Sequence, residues 1–120
     1  MLSIEAIRAA SDIPTEVVPV PEWGADATIL VRGLTKAQTA AIFAAATIEG
    51  EPGKDGKPTK TVDPQILEDE LLLACVIEPK LQREDLTMLA EKANAPVQRV
   101  ALACVRVAGL GEEGLKKAKS

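Results

Sequence analysis

The sequence predicts an α+β fold that is predominantly helical: a short N-terminal helix, a β-hairpin at about residues 16–32, and then four helices. Apolar residues recur with helical spacing along most of the chain, whereas the valine-rich stretch near the N-terminus carries prolines and a glycine turn. A chain of 120 residues is predicted to form a single domain. With one Phe, one Trp and no Tyr, its core must be built from Leu, Val, Ile and Ala.

The first 34 residues are predicted to form the N-terminal helix and the hairpin. Ser3 can cap a helix over Ser3–Ser11, in which Ile4 and Ile7 share one face. Pro14 ends this helix, because the residue before a proline is pushed out of the α region.

The hairpin is predicted from two β-type segments, Glu16–Trp23 and Thr28–Arg32, joined by a turn of about four residues. Pro19 and Pro21 cannot donate hydrogen bonds to a neighbouring strand, which places the first segment at a sheet edge.

The next segment is predicted to be a helix over residues 35–49 and a flexible loop over residues 50–62. Thr35 followed by Gln38 is a capping-box pattern, and Gly50 closes the helix. The loop is rich in Gly, Pro, Lys and Asp. It lacks the G-x-x-x-x-G-K-[ST] spacing of a phosphate-binding loop, so we do not expect it to bind phosphate.

Residues 63–109 are predicted to be the helical part, and its first helix is Pro64–Ile77. Asp63 serves as the N-cap and Pro64 as the first helical residue. From its middle onward this helix is apolar on all sides. Leu72 and Val76 lie on the same side as its polar residues, so the apolar surface is wider than one buried face requires.

Two more helices are predicted, Arg83–Ala93 and Pro96–Ala108, with Met88 filling a gap in the core. The last helix has few polar residues, and Leu102 falls among them: Gln98, Arg99 and Arg106. Residues 110–120 are expected to form a frayed tail.

The composition argues against most kinds of chemistry. There is no histidine, and Cys75 and Cys104 lie among apolar neighbours, which predicts two small buried side chains and not a metal site or a nucleophile. No dinucleotide or nucleophile motif is present. We therefore expect no catalytic residue, no cofactor and no metal, and hence no enzyme activity.

The charge pattern and the N-terminus bear on partners and location. The net charge is −4 and no basic stripe is present, which argues against nucleic acid as the main ligand. No segment has the length and polarity of a membrane span or a signal peptide, so the cytoplasm is the expected location.

The order of these segments resembles a known family. It runs through V-P-V-P-E-W-G, T-I-L-V-R-G-L-T, P-Q-I-L-E-D-E-L-L-L-A-C-V-I-E-P, L-Q-R-E-D-L-T-M-L-A-E-K and V-Q-R-V-A-L-A-C-V-R-V-A-G-L-G-E-E. The chain is similar to the tail assembly chaperones of long-tailed bacteriophages and prophages from about residue 3 to about residue 113. The V-P-E-W-G and V-R-x-L-T motifs are the most specific part.

This resemblance implies a non-enzymatic function. Such a chaperone binds the long, helical tape measure protein and keeps it soluble and competent for assembly while the tail forms. The tail tube protein and self-association are further candidate interactions. The implied location is the cytoplasm of the bacterial host, and the protein is not expected in the mature virion. The family has no catalytic or cofactor-binding residues to transfer to this chain.

A chaperone for a helical client needs an apolar face or groove. The two over-wide apolar helices suggest where it lies, and the hypothetical partner-binding residues are Leu72, Val76, Leu102 and Val105. The competing interpretation is that these side chains pack against the hairpin or the first helix.

Two other functions are weighed as alternatives. The helices Arg83–Ala93 and Pro96–Ala108 could form a helix-turn-helix of a regulatory or DNA-binding module. The second of them carries only Arg99 and Arg106 as cations, whereas a recognition helix needs several polar side chains. A minor structural tail protein is the other alternative, although such proteins tend to contain more β-structure.

Overall fold

A computed structural model describes residues 1–110, and this part of the chain is α+β, with five helices and two small antiparallel sheets. In chain order the elements are α1 (Ile4–Ala9), β1 (Thr15–Pro19), a 3-10 turn (Pro21–Trp23), β2 (Thr28–Arg32), α2 (Lys36–Ala46), β3 (Thr47–Glu49), β4 (Lys60–Val62), α3 (Pro64–Cys75), β5 (Val76–Glu78), α4 (Asp85–Ala90) and α5 (Asn94–Val107). The predicted frayed tail falls, apart from its first residue, outside the described residues.

Local capping signals in the sequence are confirmed. The Ser3 hydroxyl accepts a hydrogen bond from the Ala6 N–H at 3.1 Å and begins α1. Thr35 and Gln38 form the reciprocal capping box that begins α2, with distances of 3.0 and 2.9 Å. The Asp63 carboxylate caps α3, with a proline as its first residue. These contacts join residues that are two or three positions apart in the sequence, which explains why they could be predicted.

The predicted hairpin is confirmed, and it belongs to a three-stranded sheet of order β1-β2-β5. Its first strand ends at Pro19 and not at Trp23, so the connection covers residues 20–27 and is longer than the predicted turn of about four residues. β1 pairs antiparallel with β2, from Thr15 opposite Arg32 to Pro19 opposite Thr28. β1 is an edge strand, as Pro19 requires. A 3-10 turn and a short loop connect the two strands.

The third strand of this sheet corrects the predicted helix Pro64–Ile77. The helix ends at Cys75, and Val76–Glu78 is β5, which pairs antiparallel with β2. Two local features favour this change: β-branched residues fit a strand, and the residue before Pro79 avoids the α region. The apolar run across this boundary therefore reflects burial in two different elements and not one over-wide helix.

A second correction concerns residues 35–62. α2 stops at Ala46, and Thr47–Glu49 pairs with Lys60–Val62 as a two-stranded antiparallel sheet. The predicted flexible loop is thus shorter than 50–62, because its last three residues form β4. Gly56, which has a φ of 74°, makes the turn inside the remaining loop.

The last two helices are shifted from their predicted bounds. α4 covers only Asp85–Ala90 of the predicted Arg83–Ala93. α5 starts at Asn94, two residues before Pro96, where the missing proline N–H costs nothing because the first four helical N–H groups have no partner within the helix. Gly109, with a φ of 76°, follows the end of α5 as predicted.

The core lies between the three-stranded sheet and the two long helices α3 and α5, with α2 packed on α3. Its buried residues are aliphatic apart from the two cysteines: Val18, Val20, Ile29, Val31, Ile42, Ala46, Leu67, Leu71, Leu72, Cys75, Val76, Val100, Ala101, Ala103, Cys104, Val105 and Val107. No helix within residues 1–110 is long and apolar enough to cross a membrane.

Candidate functional site

The candidate site is an apolar pocket of about 580 Å³ that lies between the hairpin, the start of β5, the α4 region (residues 85–92) and the first half of α5. Its lining residues come from four parts of the chain: Val20, Glu22, Trp23, Ala27, Thr28 and Ile29; Leu72, Val76, Pro79 and Leu81; Met88, Leu89 and Lys92; and Val97 and Val100. A cavity of this size is within the range of ligand-binding sites.

The hairpin forms one wall of the pocket. Val20 donates its N–H to the Ala27 carbonyl at 2.9 Å, which closes the hairpin end above the pocket. The 3-10 turn then presents Trp23, the only tryptophan of the chain, which is half-buried. An aromatic ring on a partly open apolar wall offers a large contact area to an incoming side chain.

A salt bridge fixes this wall to α5. The Arg99 guanidinium donates to both carboxylate oxygens of Glu22, at 2.9 and 2.7 Å, and to the Pro19 carbonyl at 3.2 Å. A second arginine, Arg106, bonds Glu16 at the other end of β1. The two arginines are seven residues apart, two turns of helix, so they hold β1 along the length of α5.

This pairing lowers the pKa of the Glu22 carboxyl. The hydrogen bonds from Arg99 lower it from 4.5 to about 2, with a backbone hydrogen bond as the second cause. The same contact raises the pKa of Arg99. Glu22 is therefore a carboxylate at neutral pH, and the edge of the pocket carries its ion pair with Arg99.

The α4 region forms the opposite wall and contributes no buried residue of its own. Met88 is 44 % exposed and faces the pocket, which corrects the expectation that it fills a gap in the core. Lys92 adds an ammonium group at the same side. A methionine at a pocket wall adapts its shape to different apolar ligands, because its side chain is unbranched and flexible.

A second, smaller cavity of about 60 Å³ adjoins the pocket. Leu72, Leu89 and Val97 line both cavities, so the two form one groove between α3 and the α4 region. The far end of the groove is polar, because Gln65 and Asp69 line it.

The structure separates the four residues that the sequence suggested for partner binding. Leu72 and Val76 line the pocket, but each is at most 3 % exposed and forms its floor. Val105 is a core residue with 1 % exposure. Leu102 is half-buried against the core and does not line the pocket.

The accessible lining residues are those that the sequence did not suggest, above all Trp23 and Met88. The signal that could have indicated Trp23 was its rarity: it is one of two aromatic residues and lies next to a proline-rich turn. For Met88 the signal was its helical position, because it falls on the side opposite the apolar stripe of Leu86, Leu89 and Ala90.

The polar face of α5 is also occupied within the chain. Gln98 donates to the Glu68 carboxylate at 2.9 Å, and the two arginines bond the hairpin as described. Leu102 lies between Arg99 and Arg106 on this face. The polar face of α5 is therefore used to join this helix to the hairpin and to α3.

The two cysteines come together in the core. Cys75, at the end of α3, and Cys104, in α5, are both buried and form no disulfide. Contact with the Cys75 sulfur, followed by burial, raises the pKa of the Cys104 thiol. This pair is shielded from the pocket and agrees with the predicted role of small buried side chains.

The pocket is suited to bind apolar side chains, because its charged groups are confined to Glu22 and Lys92. Within residues 1–110, no three Asp, Glu, Cys or His side chains come together as a candidate metal site. Comparison with protein-family models, with curated proteins and with solved structures gives no match to this chain.

Proposed function

We propose that this chain is a phage tail assembly chaperone, which binds the tape measure protein and keeps it soluble and competent for assembly in the host cytoplasm. The observation that carries the proposal is the open apolar pocket, with a flexible methionine and the single tryptophan on its walls. The sequence resemblance to tail assembly chaperones supplies the identity of the client. No chemistry is required of the protein beyond binding.

The shape of the pocket supports a helical client. A client helix presents apolar side chains at positions i, i+3, i+4 and i+7, and a groove between two helices accepts such a row. Here the groove runs between α3 and the α4 region, from the larger cavity into the smaller one. Leu86 of α4 packs against the core, but no residue of α4 is fully buried, so a shift of α4 to admit a larger side chain would disturb less packing than a shift of α3 or α5.

A DNA-binding role draws little support from this arrangement. The two cations of α5 that the alternative relies on, Arg99 and Arg106, are bonded to acids of the hairpin. They would have to exchange these partners for phosphates. The remaining surface of α5 is largely apolar and buried.

The test is co-expression with a candidate tape measure protein from the same genome. Met88→Asp places a charge on the accessible wall of the pocket, and Thr87→Asp places the same charge on the neighbouring exposed residue, which does not line the pocket. We expect the parent and Thr87→Asp to keep the tape measure protein in the soluble fraction and to co-purify with it. The amount of tape measure protein that co-purifies with Met88→Asp should be at least ten-fold lower than the amount that co-purifies with the parent.

Two results would contradict the proposal. One is a tape measure protein whose solubility does not depend on the parent chain. The other is a Met88→Asp variant that retains the client as well as Thr87→Asp does. Thermal melts of both variants establish that the comparison concerns binding, because both positions are exposed and neither change should unfold the protein.

A further inference from the structure

The N-terminal helix has an apolar stripe that no residue of the described part of the chain, 1–110, buries. None of the residues of α1 is buried, and Ile4 and Ile7 are 63 % and 55 % exposed. They are three residues apart and therefore share one face of the helix. Leu2, just before the helix, is 71 % exposed. Three large aliphatic side chains so close together form an exposed patch of the kind that marks an interaction site.

The pocket and this stripe match in size. A cavity of about 150 Å³ accommodates one benzene-sized group. The pocket of about 580 Å³ thus has room for about four such groups, enough for the three aliphatic side chains of the stripe. Its walls are apolar except at the edge, as a site for aliphatic side chains requires.

The charges at the two surfaces are also complementary. In α1, Glu5 and Arg8 lie next to the stripe on the same side of it, and neither has an ion-pair partner within residues 1–110. At the pocket, the Lys92 ammonium likewise has no ion-pair partner among the described residues, and the Glu22 carboxylate lies on the other side. A docked α1 can place Glu5 beside Lys92, which gives these two charges neighbours of opposite sign, whereas the Glu22 carboxylate already has Arg99 as its partner.

The position of α1 favours the pocket of another molecule over its own. The Gly33 N–H donates to the Pro14 carbonyl at 2.8 Å and fixes the chain at the start of β1, whereas the pocket lies beyond the other end of this strand. The five residues of β1 span about 17 Å. The four residues between α1 and Pro14 reach about 14 Å when fully extended. Even with this linker extended back along the strand, α1, which is about 9 Å long, could bring only its first turn to its own pocket and could not seat the whole stripe there.

We propose that α1 of one copy docks its Leu2, Ile4 and Ile7 stripe into the apolar pocket of a second copy. The exchange is reciprocal in a two-fold dimer, so that both stripes and both pockets are covered. The dimer itself does not depend on the proposed function. One consequence does rest on it: α1 and a client helix compete for the same pocket, so the dimer is the resting form and the client displaces α1.

The first test is the mass in solution. By light scattering over about 1 µM to 1 mM, the range of weak to moderate association, the parent should move from the 12.6 kDa of one chain to twice that mass. Ile4→Asp with Ile7→Asp should keep the single-chain mass throughout. Ala6→Asp with Ala9→Asp, which adds the same charges to the other face of α1, should dimerise like the parent. Met88→Asp should remain a single chain, and Thr87→Asp should dimerise.

The second test uses Trp23, whose emission reports only on the pocket because the chain has no other tryptophan. A peptide of residues 1–12 contains no aromatic residue and can be titrated into the Ile4→Asp/Ile7→Asp protein. We expect a saturable blue shift of the Trp23 emission. The same peptide with aspartates at positions 4 and 7 should give no shift.

Three results would overturn the proposal. A parent that stays at single-chain mass at 1 mM excludes the dimer, and if its Trp23 emission nevertheless shifts when the stripe is changed, α1 occupies its own pocket. A dimer that persists in the Ile4→Asp/Ile7→Asp variant uses a different surface. A peptide that leaves Trp23 unchanged shows that the pocket does not accept α1.

These results are independent of the fate of the proposed function. If the dimer forms as described but neither the parent nor the Ile4→Asp/Ile7→Asp variant binds the tape measure protein, the chaperone role fails and the docking of α1 stands. If the variant is monomeric and binds the client several-fold better than the parent, both hold. If the client binds and α1 peptide does not, only the docking fails.

Discussion

Arg99 of α5 donates a hydrogen bond to each carboxylate oxygen of Glu22, at 2.9 and 2.7 Å, across 77 residues of sequence. This contact joins the last helix to the turn that carries Trp23 and so sets one wall of the pocket. It also lowers the pKa of the Glu22 carboxyl from 4.5 to about 2.

The low pKa predicts how the stability depends on acid. A carboxyl whose pKa is lower in the folded state stabilises the protein fully above its unfolded pKa, and this contribution is lost as the pH falls through the folded pKa. For Glu22 the loss falls between about pH 4.5 and pH 2. Glu22→Gln should therefore be less stable than the parent at pH 7, and the difference should shrink to nothing near pH 2.

Urea unfolding at a series of pH values from 7 to 2 measures this difference. Glu51→Gln is the matched control, because Glu51 is exposed and its side chain takes part in none of the ion pairs within residues 1–110. The control should follow the parent at every pH. A Glu22→Gln variant with the same stability as the parent at pH 7 would show that the pair with Arg99 does not stabilise the fold.

Val105 is one of the four residues that the sequence suggests for partner binding, and the structure places it in the core. It is 1 % exposed, whereas Val17 on the outer face of β1 is 61 % exposed. Val105→Ala should lower the free energy of unfolding by about 2 kcal/mol, because it leaves a cavity in a packed core. Val17→Ala should change it by less than about 0.5 kcal/mol.

Chemical denaturation of the parent and the two variants measures the free energy of unfolding of each. The comparison is matched, because both variants replace a valine by an alanine. Equal losses in the two variants would contradict the placement of Val105 in the core. A Val105→Ala variant of parental stability that no longer holds the tape measure protein would instead restore Val105 as a partner-binding residue.

The cysteine pair predicts low thiol reactivity. Cys75 and Cys104 are fully buried, and the contact between them together with burial raises the pKa of the Cys104 thiol. Thiolate is the reactive form, and neither sulfur is accessible to a reagent. In the native protein we expect reaction with a thiol-specific disulfide reagent to be at least a hundred-fold slower than in denaturant, where two thiols per chain should react at once.

The same measurement distinguishes global from local opening. A reaction rate that rises in step with denaturant-induced unfolding means that the thiols become exposed only when the core opens. Fast reaction of one thiol under native conditions would contradict the burial of the pair. Free glutathione serves as the control for the intrinsic reactivity of the reagent.

The elements that could be predicted from the sequence are those whose causes are local. The capping box at Thr35 and the Asp63 cap each depend on residues within three positions, and the structure confirms both. β5 depends on pairing with β2, some 45 residues earlier, and the apolar run that contains Val76 is equally compatible with a buried helix. β3 and β4 are only three residues each, too short for a period to show.

The pocket was harder to predict than the fold, because its walls come from the hairpin, the α4 region and two other parts of the chain. Helix periodicity assigns Leu72 to an apolar side but does not tell whether the hairpin covers it or leaves a cavity above it. One long-range feature did leave a trace: Glu16 and Glu22 on the hairpin match Arg106 and Arg99, two cations spaced by two helical turns. This pairing could have indicated that the polar side of α5 meets β1.

Gly33 marks the place where the hairpin passes under the end of α5. A Cβ at this position would collide with the Val107 carbonyl oxygen and lie 2.9 Å from the Cδ of Pro14. The Gly33 N–H donates a hydrogen bond to the Pro14 carbonyl at 2.8 Å, which keeps the two backbone segments in place. Pro14 therefore cannot move away from a new Cβ without losing this hydrogen bond. Gly33→Ala should therefore lower the free energy of unfolding by about 2 kcal/mol, as other overpacking substitutions do.

Gly53→Ala is the control for this substitution. Its nearest neighbour is a side-chain oxygen of Asp55 at 3.3 Å, an exposed group that can move, so the change should cost less than about 1 kcal/mol. Thermal and urea unfolding of the two variants give the comparison. Because Pro14 also connects α1 to β1, a Gly33→Ala variant that unfolds like the parent would mean that the start of β1 is not held against α5 as the structure shows.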